Sequence, residues 1–95
     1  MARKQYLIAY DISDDKRRAN VFKTLVGQGD HVQYSVFLCA LSPSEQIALR
    51  AKLDELIHAR EDQVMIVDLG TAASASPLIE CLGKRYNPSI RVQVF

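Results

Sequence analysis

The residue best suited to chemistry in this sequence is Asp11, which follows the apolar run from Tyr6 to Tyr10. An acid here stands at the carboxyl end of a buried strand, where a carboxylate is unfavourable unless it is paired, hydrogen-bonded or bound to metal. One carboxylate is a poor site for Mg²⁺, which takes an octahedral shell of oxygen ligands. Two Asp11 side chains from two copies of the chain could flank one ion, with waters and a substrate phosphate completing the shell. The simpler alternative is a turn or capping residue.

Basic residues open the helix that is predicted after this acid. Lys16, Arg17 and Arg18 stand in its first turn, where the helix dipole favours anions over cations. A phosphate group of nucleic acid is a plausible reason for three bases in this position, and a solvated helix face is the alternative. The two acids before them, Asp14 and Asp15, are more typical of helix capping than of metal binding.

Other reactive side chains form no recognisable constellation. Cys39 and Cys81 make no CxxC pair, and His31 and His58 have no metal-ligand spacing. The cysteines are most simply structural thiols in a reducing compartment. His31 is a weak candidate for a general base, and Ser35 is either a turn or a strand hydroxyl. Three aromatic residues are most simply core residues: Tyr6, Tyr34 and Phe37.

Length and composition predict one domain over residues 1–95. The chain is 48% hydrophobic and 24% charged, which excludes a disordered or low-complexity chain. Its formal charge of +1 gives no strong overall field, but the net charge is +3 over residues 1–28, −4 over 29–69 and +2 over 70–95. No apolar run is long enough for a membrane span or a secretory signal, so we expect a cytoplasmic protein without membrane contact.

Hydrophobic periodicity predicts strands and helices in an alternating order. Ser42, Pro43 and Glu45 form a capping box that marks the start of the second helix. The segment 30–41 is either one bent strand or a hairpin broken near Tyr34 and Ser35. The predicted elements are strand 5–12, helix 16–26, extended segment 30–41, helix 43 to about 58, strand 63–69, a short helical turn over 77–82 and a last strand over 90–95.

This order predicts an α+β, ferredoxin-like βαββαβ fold with an extra C-terminal strand. Two helices cover only one face of the sheet. The strands at 6–10 and 64–67 are nevertheless apolar on both faces, so something must cover the second face. The obvious candidate is the same face of another copy, and a homodimer is therefore expected.

Three sequence blocks carry a resemblance to a known family. They are YDISDDKRR at 10–18, GDHVQYSVF at 29–37 and DQVMIVDLG at 62–70. Together with Leu82-Gly83 and Val94-Phe95, they closely resemble the Cas2 family of small CRISPR-associated adaptation proteins. The resemblance covers nearly the whole chain, and the first two blocks at their spacing are its most specific part.

The resemblance implies a ferredoxin-like homodimer in which the last strand, about 90–95, crosses to the partner's sheet. It implies spacer acquisition, in which the dimer binds duplex DNA and bridges dimers of the CRISPR integrase. It also implies Mg²⁺-dependent endonuclease activity on single-stranded RNA or double-stranded DNA, with Asp11 as the metal ligand across the dimer axis. The predicted catalytic residues are Asp11, Tyr10 and Ser35; the predicted nucleic-acid contacts are Lys16, Arg17, Arg18 and His31, with Phe37 as structural support near the site.

The chain departs from the family pattern at two positions. His31 stands where many members carry Arg, and Asn20 replaces a second basic residue of the first helix. A toxin-type, metal-dependent endoribonuclease of the same fold is the alternative interpretation. An acylphosphatase-like enzyme is excluded because its phosphate-binding loop is absent from the sequence.

Overall fold

The computed structural model describes residues 3–71, 80, 82 and 83. Its elements are β1 (Lys4–Asp11), α1 (Asp15–Val26), β2 (Asp30–Gln33), β3 (Val36–Leu41), α2 (Pro43–Leu56) and β4 (Gln63–Thr71). The four strands form an antiparallel sheet in the order β2-β3-β1-β4. This order confirms the predicted ferredoxin-like fold. The helical turn predicted over 77–82 lies almost wholly outside the described residues, and the strand predicted over 90–95 lies wholly outside them.

The extended segment at 30–41 is a hairpin and not one bent strand. Tyr34 and Ser35 form its turn, and His31 pairs with Phe37 across it. Gly29 makes the approach to this hairpin possible, because a Cβ on it would lie 2.4 Å from the carbonyl oxygen of Leu38. Only glycine fits such a close approach without displacing β3.

Side-chain caps fix the start of both helices. Asp14 accepts a hydrogen bond from the backbone N–H of Arg17 at 2.9 Å, so α1 begins at Asp15, one residue before the predicted start. The predicted capping box of α2 is confirmed, with reciprocal hydrogen bonds of 2.9 and 3.3 Å between Ser42 and Glu45. α2 ends at Leu56, about two residues before the predicted end.

A bulge extends β4 beyond its predicted end at residue 69. Lys4 pairs with Thr71 while Tyr6 pairs with Asp68, so the register shifts between these pairs. Gly70 lies at φ 92°, a left-handed conformation that glycine adopts without strain. The carboxylate of Asp68 accepts hydrogen bonds from the Gly70 N–H at 2.8 Å and from Lys4 Nζ at 3.2 Å.

The core lies between one face of the sheet and the two helices. Phe37, Val21 and Leu25 are fully buried in it. The remaining members of this buried cluster are Ile8, Tyr10, Ile12, Cys39, Leu41, Leu49 and Leu53. Tyr6 packs against the cluster and Phe37 is central to it, as expected. The expectation for Tyr34 is wrong: its position in the turn leaves it 81% exposed.

The second face of the sheet carries apolar side chains without a described helix over it. Leu7 pairs with Val67 and Ala9 pairs with Met65, so these four residues share the face opposite the core. Met65 is 51% and Val67 38% exposed. We call this surface the open face. Within the described part of the chain, no helix is long and apolar enough to cross a membrane.

Candidate functional site

Asp11 is the last residue of β1 and lies on the open face. It stands opposite Gln63 in the register, two residues beyond Ala9 on the same side of the strand. The residue is exposed, and among the residues that the structure describes its carboxylate has no hydrogen-bond or ion-pair partner. An acid at the end of a central strand is therefore available to bind something from outside the chain.

The fit of Asp11 to a magnesium ion depends on a second source of ligands. Its carboxylate is the hard oxygen donor that Mg²⁺ prefers. Within the described residues, however, no group of three or more His, Cys, Asp or Glu side chains could hold a metal ion. The described part of one chain thus supplies a suitable carboxylate ligand but not enough ligands for the ion. The prediction of a shared site therefore requires a second Asp11 from a partner.

Tyr10 points to the opposite side of the sheet from Asp11. It is buried, and its ring stacks on that of Phe37 with a centroid distance of 6.4 Å. Burial raises the pKa of the Tyr10 phenol, the neighbouring Tyr34 raises it further, and Arg18 opposes both. The raised pKa keeps the phenol protonated near neutral pH, so it can donate a hydrogen bond to a neighbour but gives up its proton less readily than an exposed tyrosine.

Ser35 lies beside the end of β1 through a main-chain contact. The N–H of Tyr10 donates to the carbonyl oxygen of Ser35 at 3.0 Å. This hydrogen bond brings the hairpin turn to the same end of the sheet as Asp11. The predicted catalytic roles of Tyr10 and Ser35 stay predictions, and the structure gives both residues a role in holding this end together.

Arg17 is engaged by two acids of the loop before β4. Its Nε donates to Asp62 at 2.7 Å and its terminal nitrogen donates to the other oxygen of Asp62 at 3.1 Å, with Glu61 at 3.3 Å. The Asp62 side chain is fully shielded from solvent and also accepts the N–H of His58 at 2.8 Å. These bonds lower the pKa of Asp62 and raise that of Arg17. They occupy Nε and one terminal nitrogen of Arg17, so the other terminal nitrogen is the part of the guanidinium left for a contact with nucleic acid.

Lys16 and Arg18 are the other two predicted nucleic-acid contacts on α1. Lys16 is exposed and has no hydrogen-bond or ion-pair partner within residues 3–71. Arg18 forms an ion pair with Asp15 and donates to the carbonyl oxygen of Ile12 at 2.9 Å. Lys16 is therefore the more available cation of the two, whereas Arg18 also fixes the loop between β1 and α1.

His31 belongs to an aromatic cluster on the helix side of the sheet. Its ring stacks on Phe37 with a centroid distance of 4.7 Å and meets the edge of Phe22 at 5.1 Å. Its Nε2 lies 3.1 Å from the carbonyl oxygen of Tyr34, so the ring also braces the hairpin turn. The basic group predicted here as a nucleic-acid contact is thus held by its neighbours in one orientation.

The predicted site residues are divided between the two sides of the sheet. Asp11 lies on the open face, and Tyr10, Arg18, His31 and Phe37 lie on the helix side. Sequence reasoning missed two residues on the helix side: Phe22 and Lys23, which line a cavity with Arg18, His31 and Tyr34. Phe22 is an apolar residue of α1 that is 37% exposed, and the spacing of apolar residues in the sequence does not show this exposure.

Comparisons with known proteins agree on one family. The family model described as CRISPR associated protein Cas2 matches residues 4–76. The CRISPR-associated endoribonuclease Cas2 1 of Rhodospirillum rubrum is 44% identical over 85 residues, 90% of this chain and 83% of that protein. The crystal structure of Streptococcus pyogenes Cas2 at pH 6.5 matches with a TM-score of 0.75 and 30% identity, over 83% of this chain and 99% of that chain.

A further solved structure places a similar chain in an assembly. A chain of a partial Cas6-RT-Cas1–Cas2 complex matches with a TM-score of 0.64 and 31% identity, over 70% of this chain and 79% of that one. The family model covers well over half of the sequence, and the Rhodospirillum relative covers most of it. The protein therefore belongs to the Cas2 family of CRISPR-associated proteins.

Proposed function

We propose that the protein acts in CRISPR adaptation as a homodimer that binds duplex DNA and bridges dimers of the CRISPR integrase. In this proposal the dimer also has Mg²⁺-dependent endonuclease activity on single-stranded RNA or double-stranded DNA. One observation carries the proposal: the unpartnered carboxylate of Asp11 lies on the same exposed face as Met65 and Val67. Family membership and the endoribonuclease name of the Rhodospirillum relative support it.

The open face supports dimer formation. Met65 and Val67 expose apolar surface on an edge strand, next to Leu7 and Ala9 of the central strand. Packing the same face of a second copy against it would remove this surface from water. A two-fold interface uses the same residues on both sides, so it would also carry an Asp11 from each copy.

Within such a dimer, the two Asp11 carboxylates would hold the ion. Mg²⁺ there would polarise the scissile phosphate and make water a better nucleophile near neutral pH. Hydrolysis would join a water oxygen to phosphorus and break the bond to the leaving strand, whose oxygen takes up a proton. Lys16, exposed at the start of α1, would attract the phosphate backbone towards this end of the sheet.

The likeness to a chain of the Cas6-RT-Cas1–Cas2 complex supports the integrase as a partner. The toxin-type alternative would use the same carboxylate for RNA cleavage. The match to the family model over residues 4–76 favours the adaptation protein.

A nuclease assay with matched carboxamide variants tests the metal site. End-labelled single-stranded RNA and duplex DNA are incubated with and without Mg²⁺ and the wild type, Asp11→Asn or Asp54→Asn. We expect Mg²⁺-dependent cleavage that falls at least about 100-fold in Asp11→Asn, because a neutral amide replaces the charged carboxylate ligand in both copies. Asp54 is an exposed acid on α2, so its variant should cleave like the wild type.

Three outcomes would overturn the proposal in part or in full. Equal cleavage by the wild type and Asp11→Asn would refute the metal role of Asp11. A wild type that fails to cleave but binds duplex DNA and supports integration would leave the adaptation role and remove the nuclease activity. A wild type that does neither would refute the proposed function.

A further inference from the structure

A cavity of about 390 Å³ opens between α1 and the β2–β3 hairpin, on the opposite side of the sheet from Asp11. This volume lies within the range of roughly 300–1,000 Å³ that is typical of small-ligand sites. Its walls include four aromatic side chains; that of Tyr10 is buried, and those of Phe22, His31 and Tyr34 are exposed. We propose that this cavity binds one unpaired nucleotide of a single-stranded nucleic acid, with its base on the aromatic rings and its phosphate at Lys23 or Arg18.

The rings of Phe22 and His31 pack against the core at the base of the cavity. Phe37 is fully buried and contacts both Phe22 at 5.7 Å and His31 at 4.7 Å, so it supports their rings from below. Phe22 and His31 stand edge to face, with an interplanar angle of 86°. Two neighbouring rings held at fixed angles offer a base one face to stack on and one edge to contact.

Tyr34 adds a third, largely exposed ring to the cavity. It is 81% exposed in the hairpin turn, and within the described residues its side chain has no hydrogen bond or ring contact. A large apolar ring left in water gains the most when a flat ligand covers it. The contact between His31 Nε2 and the Tyr34 carbonyl oxygen braces the main chain of the turn, which keeps the Tyr34 side chain at the mouth of the cavity.

The charge of the cavity matches a nucleotide more closely than an uncharged ligand. Arg18 and Lys23 line it together with one acid, Asp15, which leaves a net charge of +1. Asp15 pairs with Arg18, whereas Lys23 is exposed and has no ion-pair partner within residues 3–71. An apolar ligand would make no favourable contact with the lysine, and a bare phosphate would make none with the aromatic rings. A nucleotide can contact both.

The inference rests on the proposed function, because it assumes that the protein meets nucleic acid. It adds a preference that the metal site does not contain: an unpaired base must be available to enter the cavity. Duplex DNA, whose bases are stacked and paired, would bind through its backbone alone. The same chemistry is offered by single-stranded RNA and single-stranded DNA, and the two are separate arms of the test.

Fluorescent oligonucleotides test the cavity. Two probes are single-stranded RNA and single-stranded DNA, each with one central 2-aminopurine, and the third is an unlabelled duplex of the same sequence. The fluorescence of 2-aminopurine falls when the base stacks. We expect wild-type protein to quench at least one single-stranded probe. Tyr34→Ala should weaken that binding about 5- to 100-fold and abolish the quenching, whereas Tyr34→Phe should restore both. Duplex binding should change less than about 2-fold, because it needs no stacking.

A matched control and three further outcomes make the test decisive. Ile47→Ala removes an exposed apolar side chain of α2 and should bind all probes like the wild type. Single-stranded binding that Tyr34→Ala leaves unchanged would overturn the inference and leave the proposed function standing. A change in oligomeric state with Tyr34→Ala would show that the ring belongs to a protein interface and would also overturn it. A wild type that binds neither duplex nor single strands would refute the proposed function together with the cavity.

Discussion

Replacing Val67 with Asp should convert the proposed dimer to folded monomers. Met65 and Val67 are 51% and 38% exposed, which corresponds to roughly 160 Å² per copy and about 320 Å² across a two-fold interface. At ~25 cal/mol per Å², covering this surface contributes about 8 kcal/mol before the entropy of association is subtracted. Val67→Asp removes part of this gain and places two unpaired carboxylates in the interface, each at a cost of several kcal/mol.

The expected result is at least about a 1,000-fold rise in the dimer dissociation constant, measured by analytical ultracentrifugation from nanomolar to high micromolar protein. Ile47→Asp is the matched control, because Ile47 is 67% exposed on α2 and lies away from the open face. Both variants introduce one acid at an exposed apolar position. Circular dichroism should show native secondary structure in both.

The open face is not the dimer interface if Val67→Asp stays folded and dimeric with an unchanged dissociation constant. Such a result would mean that the dimer uses another surface and that the open face has a different role. A wild type that is monomeric throughout this concentration range would refute the dimer itself, and with it the sharing of one ion by two Asp11 side chains.

Two further predictions concern the fold. Gly29→Ala should lower the free energy of unfolding by roughly 1–3 kcal/mol, because its Cβ would lie 2.4 Å from the Leu38 oxygen. The control is Gly27→Ala, whose Cβ meets nothing closer than 3.7 Å and which should change the free energy of unfolding by less than about 0.5 kcal/mol. Equal urea midpoints for the two variants would contradict a steric role for Gly29. Asp62 has a lowered pKa in the folded state because Arg17 and the His58 N–H bond its carboxylate. The ionised carboxylate therefore stabilises the fold above the unfolded pKa of about 3.9, and this stabilisation is lost as pH falls through the folded pKa. Urea unfolding at fixed protein concentration measures the difference in free energy of unfolding between the wild type and Asp62→Asn. This difference should be constant above about pH 5 and should decrease from about pH 4 downward. A difference that increases on acidification would contradict this assignment.

Much of the fold could be predicted because its signals are local. The continuous apolar runs of β1 and β4 and the capping box at Ser42 each depend on a few neighbouring residues. The hairpin could not be decided, since its turn is Tyr34-Ser35 and contains no Gly, Asn, Asp or Pro to mark it. The expectation that Tyr34 is a core residue is wrong for the same reason. With no turn marked at Tyr34, the pattern places its aromatic ring in a buried strand.

The site was predictable where one residue stands out against its neighbours. Asp11 is an acid directly after an apolar strand, and the structure leaves its carboxylate exposed. Arg17 could not be assigned in the same way, because its acid partner Asp62 is 45 positions away in the chain. Its pairing depends on how α1 meets the loop before β4, and only the folded structure contains that information.

The bond between Arg17 and Asp62 also bears on the alignment of the strands. Asp62 directly precedes Gln63, the first residue of β4, which pairs with Asp11 at the end of β1. Alternate residues of a strand face opposite sides, so a slip of β4 by one position would turn Met65 and Val67 inward and bring their neighbours out. The Arg17 guanidinium thereby helps to hold β4 in the alignment that places Met65 and Val67 on the open face, although it contacts neither of them.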